Sequence, residues 1–507
     1  MDATVDASVG TTGWQGDPTL TNIDLVPTPV EKRTWTWWSF GALWMGMVHN
    51  IYNFTWVGGL VAIGMSVPQA LAIAITGNLI QTLLIGVTGR VGARHGIPFA
   101  VWARAAFGVY GANIPALIRG LVAIGWFGVQ SYLGATAVNV LLAATIGPWK
   151  DLGLTVVGGV GLNLWIAMII YWAVNLLVIR HGMETVRRFE SWAGPMIFVV
   201  MLALVIWALT AAHGIGPVFE THSKFTSFGS FFFGGFLPGV ALYISGSWAT
   251  MVLNIPDLTR FARSNREQFW GTMLGLPIAT IIYYFMAAII VSATLTIFHK
   301  AYWNPSDILT AINNPSLSII GAILLAIATI SVNIPANIVS PAYDLTNLLP
   351  KLITFRRGGL IAIVLSFLYM PWKVMQNPVS LFSVLGNIGA FLGPATGIII
   401  ADYFLVRKQL LDVPDLYRVN GRYRAVNGFN FVGLGVLLVS TAIIMTGEFV
   451  PAVNWLYEYA WFVGVVLGFL GYLGTVAIVK ATSHSVPSEF EAVGSPGVEN
   501  AGLTEDA

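Results

Sequence analysis

The stretch Gly46–Trp56, GMVHNIYNFTW, decides how this chain is read. It lies inside an apolar run, with FGALWM before it and VGGLVAIGM after it, yet His49, Asn50, Tyr52 and Asn53 crowd its middle. In hydrocarbon every backbone N–H and C=O must be satisfied within the protein, so polar or irregular stretches persist only where they pack on protein or line a cavity. The cluster therefore reads as a membrane helix interrupted at its midpoint.

Composition sets the class around that stretch. Of 507 residues, 56% are hydrophobic and 9% charged, and the mean hydropathy is +0.75; soluble domains average about 25% charged residues. The chain reads as an all-α integral membrane protein whose surroundings are the lipid bilayer. A net charge of +2 offers no large basic field, so nucleic acid is not an expected partner. Cysteine is absent, which removes disulfides and thiolate metal sites. The start, MDATVDASVG, lacks a basic region followed by an apolar one, so no cleavable signal is expected and the first span would serve for insertion.

Apolar runs near the roughly 20 residues that cross hydrocarbon as a helix recur twelve times: 38–64, 69–93, 111–147, 157–179, 192–212, 234–256, 270–296, 317–345, 358–373, 379–405, 430–447 and 455–480. The third is long enough to tilt strongly or reach the interface, and the ninth is short. With the amino terminus inside, the inward loops gather seventeen Lys and Arg, including Arg90, Arg180, Arg187, Arg260, Arg357 and Arg424. The outward loops hold four: Lys150, Lys224, Lys300 and Lys373. Positive charge collects on the cytoplasmic side, so both termini are expected in the cytoplasm of a protein of the cytoplasmic membrane.

The expected divisions are a tail at 1–35, a first five-helix unit at 36–215, a second at 216–406, a cytoplasmic loop with helices 11 and 12 at 407–481, and a tail at 482–507. Both tails are polar and rich in small residues, with too little apolar surface to order themselves. Between spans ten and eleven, DLYRVNGRYR would form a plain loop or lie along the membrane surface.

Two further spans carry polar interruptions. In span six, FLPGVALYISGSWATMVLNIPD places Gly246 between Ser245 and Ser247, just ahead of Trp248. In span eight, ATISVNIPANIVSPAY carries Asn333, Pro335, Asn337, Ser340 and Pro341. Glycine and proline are common in membrane helices, and an asparagine there is often interhelical glue worth about 0.6 kcal/mol. If the first ten spans are two halves of five, however, spans one and six correspond. Paired interrupted helices in corresponding halves point to a transporter site at the midplane.

Span three supplies a second element. GWFGVQSYLG sets Trp126 and Gln130 four residues apart, on one helical face. An indole beside a carboxamide suits a flat neutral ring bearing NH and C=O groups, because the indole stacks while the amide donates and accepts. With 19 tryptophans in the chain, most must simply pack or sit at the interface. Glu190, Asp257, Asp344 and Asp402 are all expected at cytoplasmic span ends, so a charged substrate would find no counter-charge at the midplane. The cargo is expected to be neutral. His49 is the imidazole nearest a span centre, either a hydrogen-bonded neutral ring or a proton carrier.

At this point the residues carry a resemblance. LVPTPVEKRTW, LWMGMVHNIYNFTWVGGLVAIGM, RHGIPFAVWARAAFGVYGANIPALIRG, GWFGVQSYLGA, NIPDLTRFAR, ATISVNIPANIVSPAYDLTNLLP and IADYFLVRKQ resemble, in order from about residue 25 to 480, the nucleobase:cation symporter family of hydantoin, allantoin, cytosine and uracil permeases. The likeness is greatest to its allantoin permease branch. It implies two inverted five-helix repeats (helices 1–5 and 6–10) plus two C-terminal helices, with helices 1 and 6 interrupted and alternating access around a central site. It further implies that Trp126 and Trp248 sandwich the substrate ring, that Asn50, Gln130 and Asn337 bond its edges, and that Gly246 and Ser247 form the span-six break.

Two departures from that pattern stand out. The sodium-coupled hydantoin transporter of the family holds its ion between span-one carbonyls, here near Gly46 and His49, and span eight. This chain aligns Ala328 and Ser331 there but has Val332 in place of a second hydroxyl, and a hard cation loses an oxygen ligand. The coupling ion is thus H+ or Na+, with the proton expected and His49 as its titratable group. Asn50 also stands for a longer glutamine, leaving room for a larger ureido ring such as allantoin. Uracil, cytosine, hydantoins and purines remain alternatives, as does a channel for small polar solutes. No HExxH, membrane acidic pair or GxxxxGK[ST] motif is present, so an enzyme is not expected and no cofactor is called for.

Overall fold

The structure, a computed structural model, describes residues 16–179, 183–215, 217–220, 222–376, 378–482 and 490. Of the expected tails, residues 1–15 and all of 483–507 but Phe490 lie outside the described residues, as does Arg180.

The polar cluster divides span one into α1 (Trp37–Val48) and α2 (Ile51–Ala62). A capping box opens α3 (Val67–His95): Ser66 N–H donates to Gln69 Oε1 at 3.0 Å and Gln69 N–H to Ser66 Oγ at 3.4 Å. Gly96, at φ +71°, closes it in the left-handed conformation that a side chain would strain. A short α4 (Phe99–Phe107) leads into α5 (Asn113–Thr145), whose 33 residues match the unusually long third run. Then come α6 (Leu162–Ile179) and α7 (Met183–Ala211), preceded by a two-residue antiparallel hairpin pairing Val156 with Gly161 and Val157 with Val160.

Span six divides again, into α8 (Leu237–Gly246) and α9 (Ala249–Asn254). Next, α10 (Asn265–Phe298) is capped by Ser264, and span eight runs as α11 (Pro315–Asn337) and α12 (Val339–Leu348), broken at Ile338. The rest are α13 (Phe355–Ser366), α14 (Pro378–Ile400), α15 (Phe431–Phe449) and α16 (Ala460–Thr482). Among the described residues nine helices are long and apolar enough to cross a membrane. The pair α1/α2, the 18-residue α6 and the 12-residue α13 fall at the first, fourth and ninth expected spans.

Helix α1 packs against α7, α10 and α11. Lipid is as apolar as a leucine side chain, so membrane helices associate through close backbone approach. A Cβ at Gly275 would meet Gly41 Cα at 2.9 Å, and one at Gly194 would meet the Ala42 carbonyl at 2.5 Å and Gly46 N at 3.0 Å. Glycine at these crossings lets α10 and α7 clamp the centre of α1.

The face that carries residues 16–35 and the loop before α15 is tied together by polar groups. Residues 16–35 do not hang free: Leu20, Leu25 and Trp35 are buried, Asp17 N–H donates to the Tyr417 carbonyl at 2.8 Å, and Tyr417 donates to the Leu25 carbonyl at 2.6 Å. Arg104, on α4, donates to Leu20 O, Leu416 O and Asn347 Oδ1 at 2.9, 2.8 and 2.6 Å. Burial pushes its guanidinium down to about 10, still charged at neutral pH. DLYRVNGRYR is a packed loop with Leu416, Tyr417 and Tyr423 buried, because those side chains close over Arg104 and Arg407.

A candidate substrate pocket at two helix breaks, and a carboxyl beside it

Breaking a helix in mid-membrane orphans its last carbonyls and the next helix's first N–H groups, and GMVHNIYNFTW supplies the partners itself. Asn50, extended at φ −130°, ψ 165°, caps α2 by accepting from Asn53 N–H at 3.1 Å, while its amide donates to the Met47 carbonyl at 2.6 Å. The Asn53 amide donates to the Val48 carbonyl at 2.9 Å, and Tyr283 of α10 donates to the Asn50 carbonyl at 2.7 Å. Asn50 is therefore largely committed to the break, with its remaining reach directed at Gln130, whose amide donates to Asn50 Oδ1 at 3.3 Å.

The break in span six is satisfied from outside. Gln81 of α3 donates to the Ile244 carbonyl at 2.8 Å, and the Ser247 hydroxyl stands 2.7 Å from both Gln81 Oε1 and the Tyr243 carbonyl, donating to one at a time. Ser247 itself is non-helical, at φ −114°, ψ −87°.

These breaks face one pocket, which gathers Asn50, Trp126, Gln130, Gly246, Ser247, Trp248 and Asn337. Tyr52, Asn53, Thr250, Val332 and Ala336 complete the wall, and among the described residues no charged side chain lines it. The two tryptophans are braced separately: Trp126 meets Tyr52 edge-on at 4.8 Å, and Trp248 meets Trp44 edge-on at 5.5 Å. Asn337 donates to Asn333 Oδ1 at 3.0 Å, and Asn333 reaches Ser131 Oγ at 3.2 Å, so α11 is held to α5 behind the pocket. Among the described residues, three buried polar atoms in the wall have no hydrogen-bond partner: Gln130 Oε1, Trp248 Nε1 and the Tyr52 hydroxyl. The wall thus presents an acceptor, a donor and a group that can be either.

The proposed cation-site residues separate into three surroundings. His49 and Ala328 line an apolar cavity with Phe54, Ile197 and Tyr283. His49 Nδ1 donates to the Met45 carbonyl at 2.5 Å, Nε2 has no partner, and the ring packs against Tyr283 at 4.7 Å. Val332 faces the substrate pocket. Gly46 and Ser331 meet a third group: the Ser331 hydroxyl donates to the carboxyl of Glu190, and a Cβ on Gly46 would collide with both.

Glu190 corrects the expectation that the acidic residues stay at cytoplasmic ends. Helix α7 begins at Met183 rather than near 192, so Glu190 stands two turns inside it, 1% exposed. Arg187, Arg188 and Glu190 depress the local hydropathy and hid that start. Asp344 is equally buried but paired with Arg119 at 2.8 Å, and Asp402 with Arg407 at 2.7 Å; Asp257 accepts from Phe99 N–H at 2.8 Å. Sequence reasoning also missed Tyr52, Gln81 and Tyr283. Tyr52 lay inside the quoted cluster and could have been read, whereas Gln81 and Tyr283 are recruited from helices distant in sequence.

Fold and pocket point first to a class, a multi-pass membrane transporter. Residues 27–464 match the family described as permease for cytosine/purines, uracil, thiamine, allantoin, and the chain belongs to that family. It is 44% identical over 468 residues to the allantoin permease of Bacillus subtilis (strain 168), covering 92% of this chain and 95% of that one. It is 34% identical over 444 residues to a purine-uracil permease of Arabidopsis thaliana, covering 85% and 72%. Among solved structures it resembles Mhp1, a nucleobase-cation-symport-1 family transporter in a closed conformation with bromovinylhydantoin bound, at TM-score 0.76 and 25% identity over 93% of this chain and 98% of that one.

Proposed function

We propose that this protein is a secondary active transporter that imports a neutral, planar nitrogen heterocycle, allantoin first among them, by cation-coupled alternating access. The observation that carries the reading is the uncharged pocket between Trp126 and Trp248 with Gln130 Oε1, Trp248 Nε1 and the Tyr52 hydroxyl unpaired. A buried polar group left unpaired costs about 1–3 kcal/mol. A ring carrying both NH and C=O groups recovers that cost, and an apolar ring of the same shape does not. The likeness to the Bacillus allantoin permease supports ranking allantoin ahead of uracil, cytosine, hydantoin and purines.

In this reading the driving cation is the proton rather than sodium, since Val332 offers no oxygen where a second hydroxyl would coordinate a hard ion. Uptake of radiolabelled allantoin into proteoliposomes under separately imposed proton and sodium gradients tests it. Saturable accumulation driven by the proton gradient, without single-channel current, is expected. Full dependence on sodium at fixed pH would overturn the proton assignment, and unsaturable flux with current would favour a channel.

A further inference from the structure

We propose that Glu190 is the anionic group at which the coupling cation binds, with Ser331 and the α1 backbone at Gly46 completing the site. The proposal rests on the transport reading and gives its coupling a residue.

Three observations carry it. Glu190 is 1% exposed, and none of the ion pairs among the described residues includes it. One carboxyl oxygen accepts from the Ser331 hydroxyl, whereas Oε1 is buried without any partner. An ionised carboxylate in that position is an uncompensated buried charge, which stays only if a positive charge joins it.

The second observation is place. The carboxyl lies against Gly46, three residues before His49 in the segment that interrupts span one, and against Ser331, one residue before the pocket-lining Val332. It thus bridges α7, α1 and α11 immediately beside the substrate wall. A positive charge held there draws the three helices together, and its departure leaves a buried anion that favours their separation and entry of water. This two-state element links cation occupancy to pocket geometry, as coupling requires.

The third observation concerns the neighbours. Among the described residues, titratable side chains on the elements packed here are His49 at the end of α1, Arg266, Glu267, Tyr283 and Tyr284 on α10, Tyr171 on α6, and Arg187 and Arg188 on α7 itself; His49 and Tyr283 contact each other. Arg187 and Arg188 have interactions of their own. His49 spends Nδ1 on the Met45 carbonyl, its Nε2 is buried without a partner, and the apolar cavity it helps line has no carboxylate among the described residues. A cation there would be unmatched, whereas at Glu190 it is neutralised. The chemistry at Glu190 is that of one positive charge, in the transport reading a proton on the carboxyl.

Glu190→Gln keeps shape and hydrogen bonding while removing the charge. In proteoliposomes of the full chain, E190Q is expected to retain allantoin exchange within about twofold of wild type, yet to lose gradient-driven accumulation down to the no-gradient level. Imposed proton and sodium gradients in the wild type identify which cation drives it. Substrate-free wild type should show a thermal midpoint that responds to that cation, and E190Q should not; this readout stands even if allantoin is the wrong substrate. Ser331→Ala, which removes only the hydroxyl partner, should shift the half-saturating cation concentration about fivefold, and it decides the matter if E190Q fails to fold. Accumulation by E190Q at the wild-type level would overturn the proposal. So would a cation response unaltered by S331A.

Discussion

Replacing Asn50 with alanine separates two roles that the residue could hold. If Asn50 mainly bonds the substrate, Asn50→Ala weakens binding and leaves the fold intact. The structure instead commits it to the helix break, and the size of the effect follows from its partners. Loss of the cap on Asn53 N–H costs about 1 kcal/mol. The Val48 carbonyl keeps its bond from Asn53, but the Met47 carbonyl is left unpaired in a buried site, a further cost of about 1–3 kcal/mol. The long contact from Gln130 adds little. Asn50→Ala is therefore expected to destabilise the ligand-free protein by about 2–4 kcal/mol, the sum of those two terms. Asn50→Ser, which keeps a capping oxygen, should recover about 1 kcal/mol of it. Unfolding of the detergent-solubilised protein, followed by tryptophan fluorescence, measures this directly. A variant as stable as wild type with only its allantoin affinity reduced would refute the reasoning.

Other substitutions probe the remaining parts. Trp126→Ala should weaken binding by about 1–3 kcal/mol, the usual worth of stacking a base on an aromatic ring; equal affinity by equilibrium binding would exclude Trp126 from the site. Gln81→Ala leaves the Ile244 carbonyl and the Ser247 hydroxyl without their α3 partner, and should cost about 1–3 kcal/mol of stability, although Gln81 is no part of the pocket wall. Arg119→Leu strands the buried Asp344 carboxylate and should destabilise by about 3–5 kcal/mol. Adding Asp344→Asn should return most of that loss, and failure of the double variant to recover would show that the charge imbalance is not the cause.

The polar cluster in span one could be read directly, because nothing but a break explains four polar residues in five positions of an apolar run. Gly246 and Ser247 were found the same way, and Trp126 and Gln130 by helical spacing. Asn50 lines the pocket, but its use as cap and bridge depends on where the Met47 carbonyl and Gln130 point, which only the folded chain fixes. Gln81 was invisible because the carbonyl it satisfies lies 163 residues away on α8. Glu190 was hidden for a different reason. Hydropathy locates the apolar part of a helix, while α7 starts two turns earlier in a charged segment whose one buried face meets Gly46 and Ser331.

The most direct test of the account is competition for radiolabelled allantoin uptake by a panel of unlabelled allantoin, uracil, cytosine, hydantoins and purines. A pocket that pairs Gln130 Oε1, Trp248 Nε1 and Tyr52 around a neutral ureido ring predicts saturable uptake inhibited best by allantoin itself, with charged analogues inert. Far stronger competition by uracil than by allantoin, or inhibition by charged analogues, would contradict it.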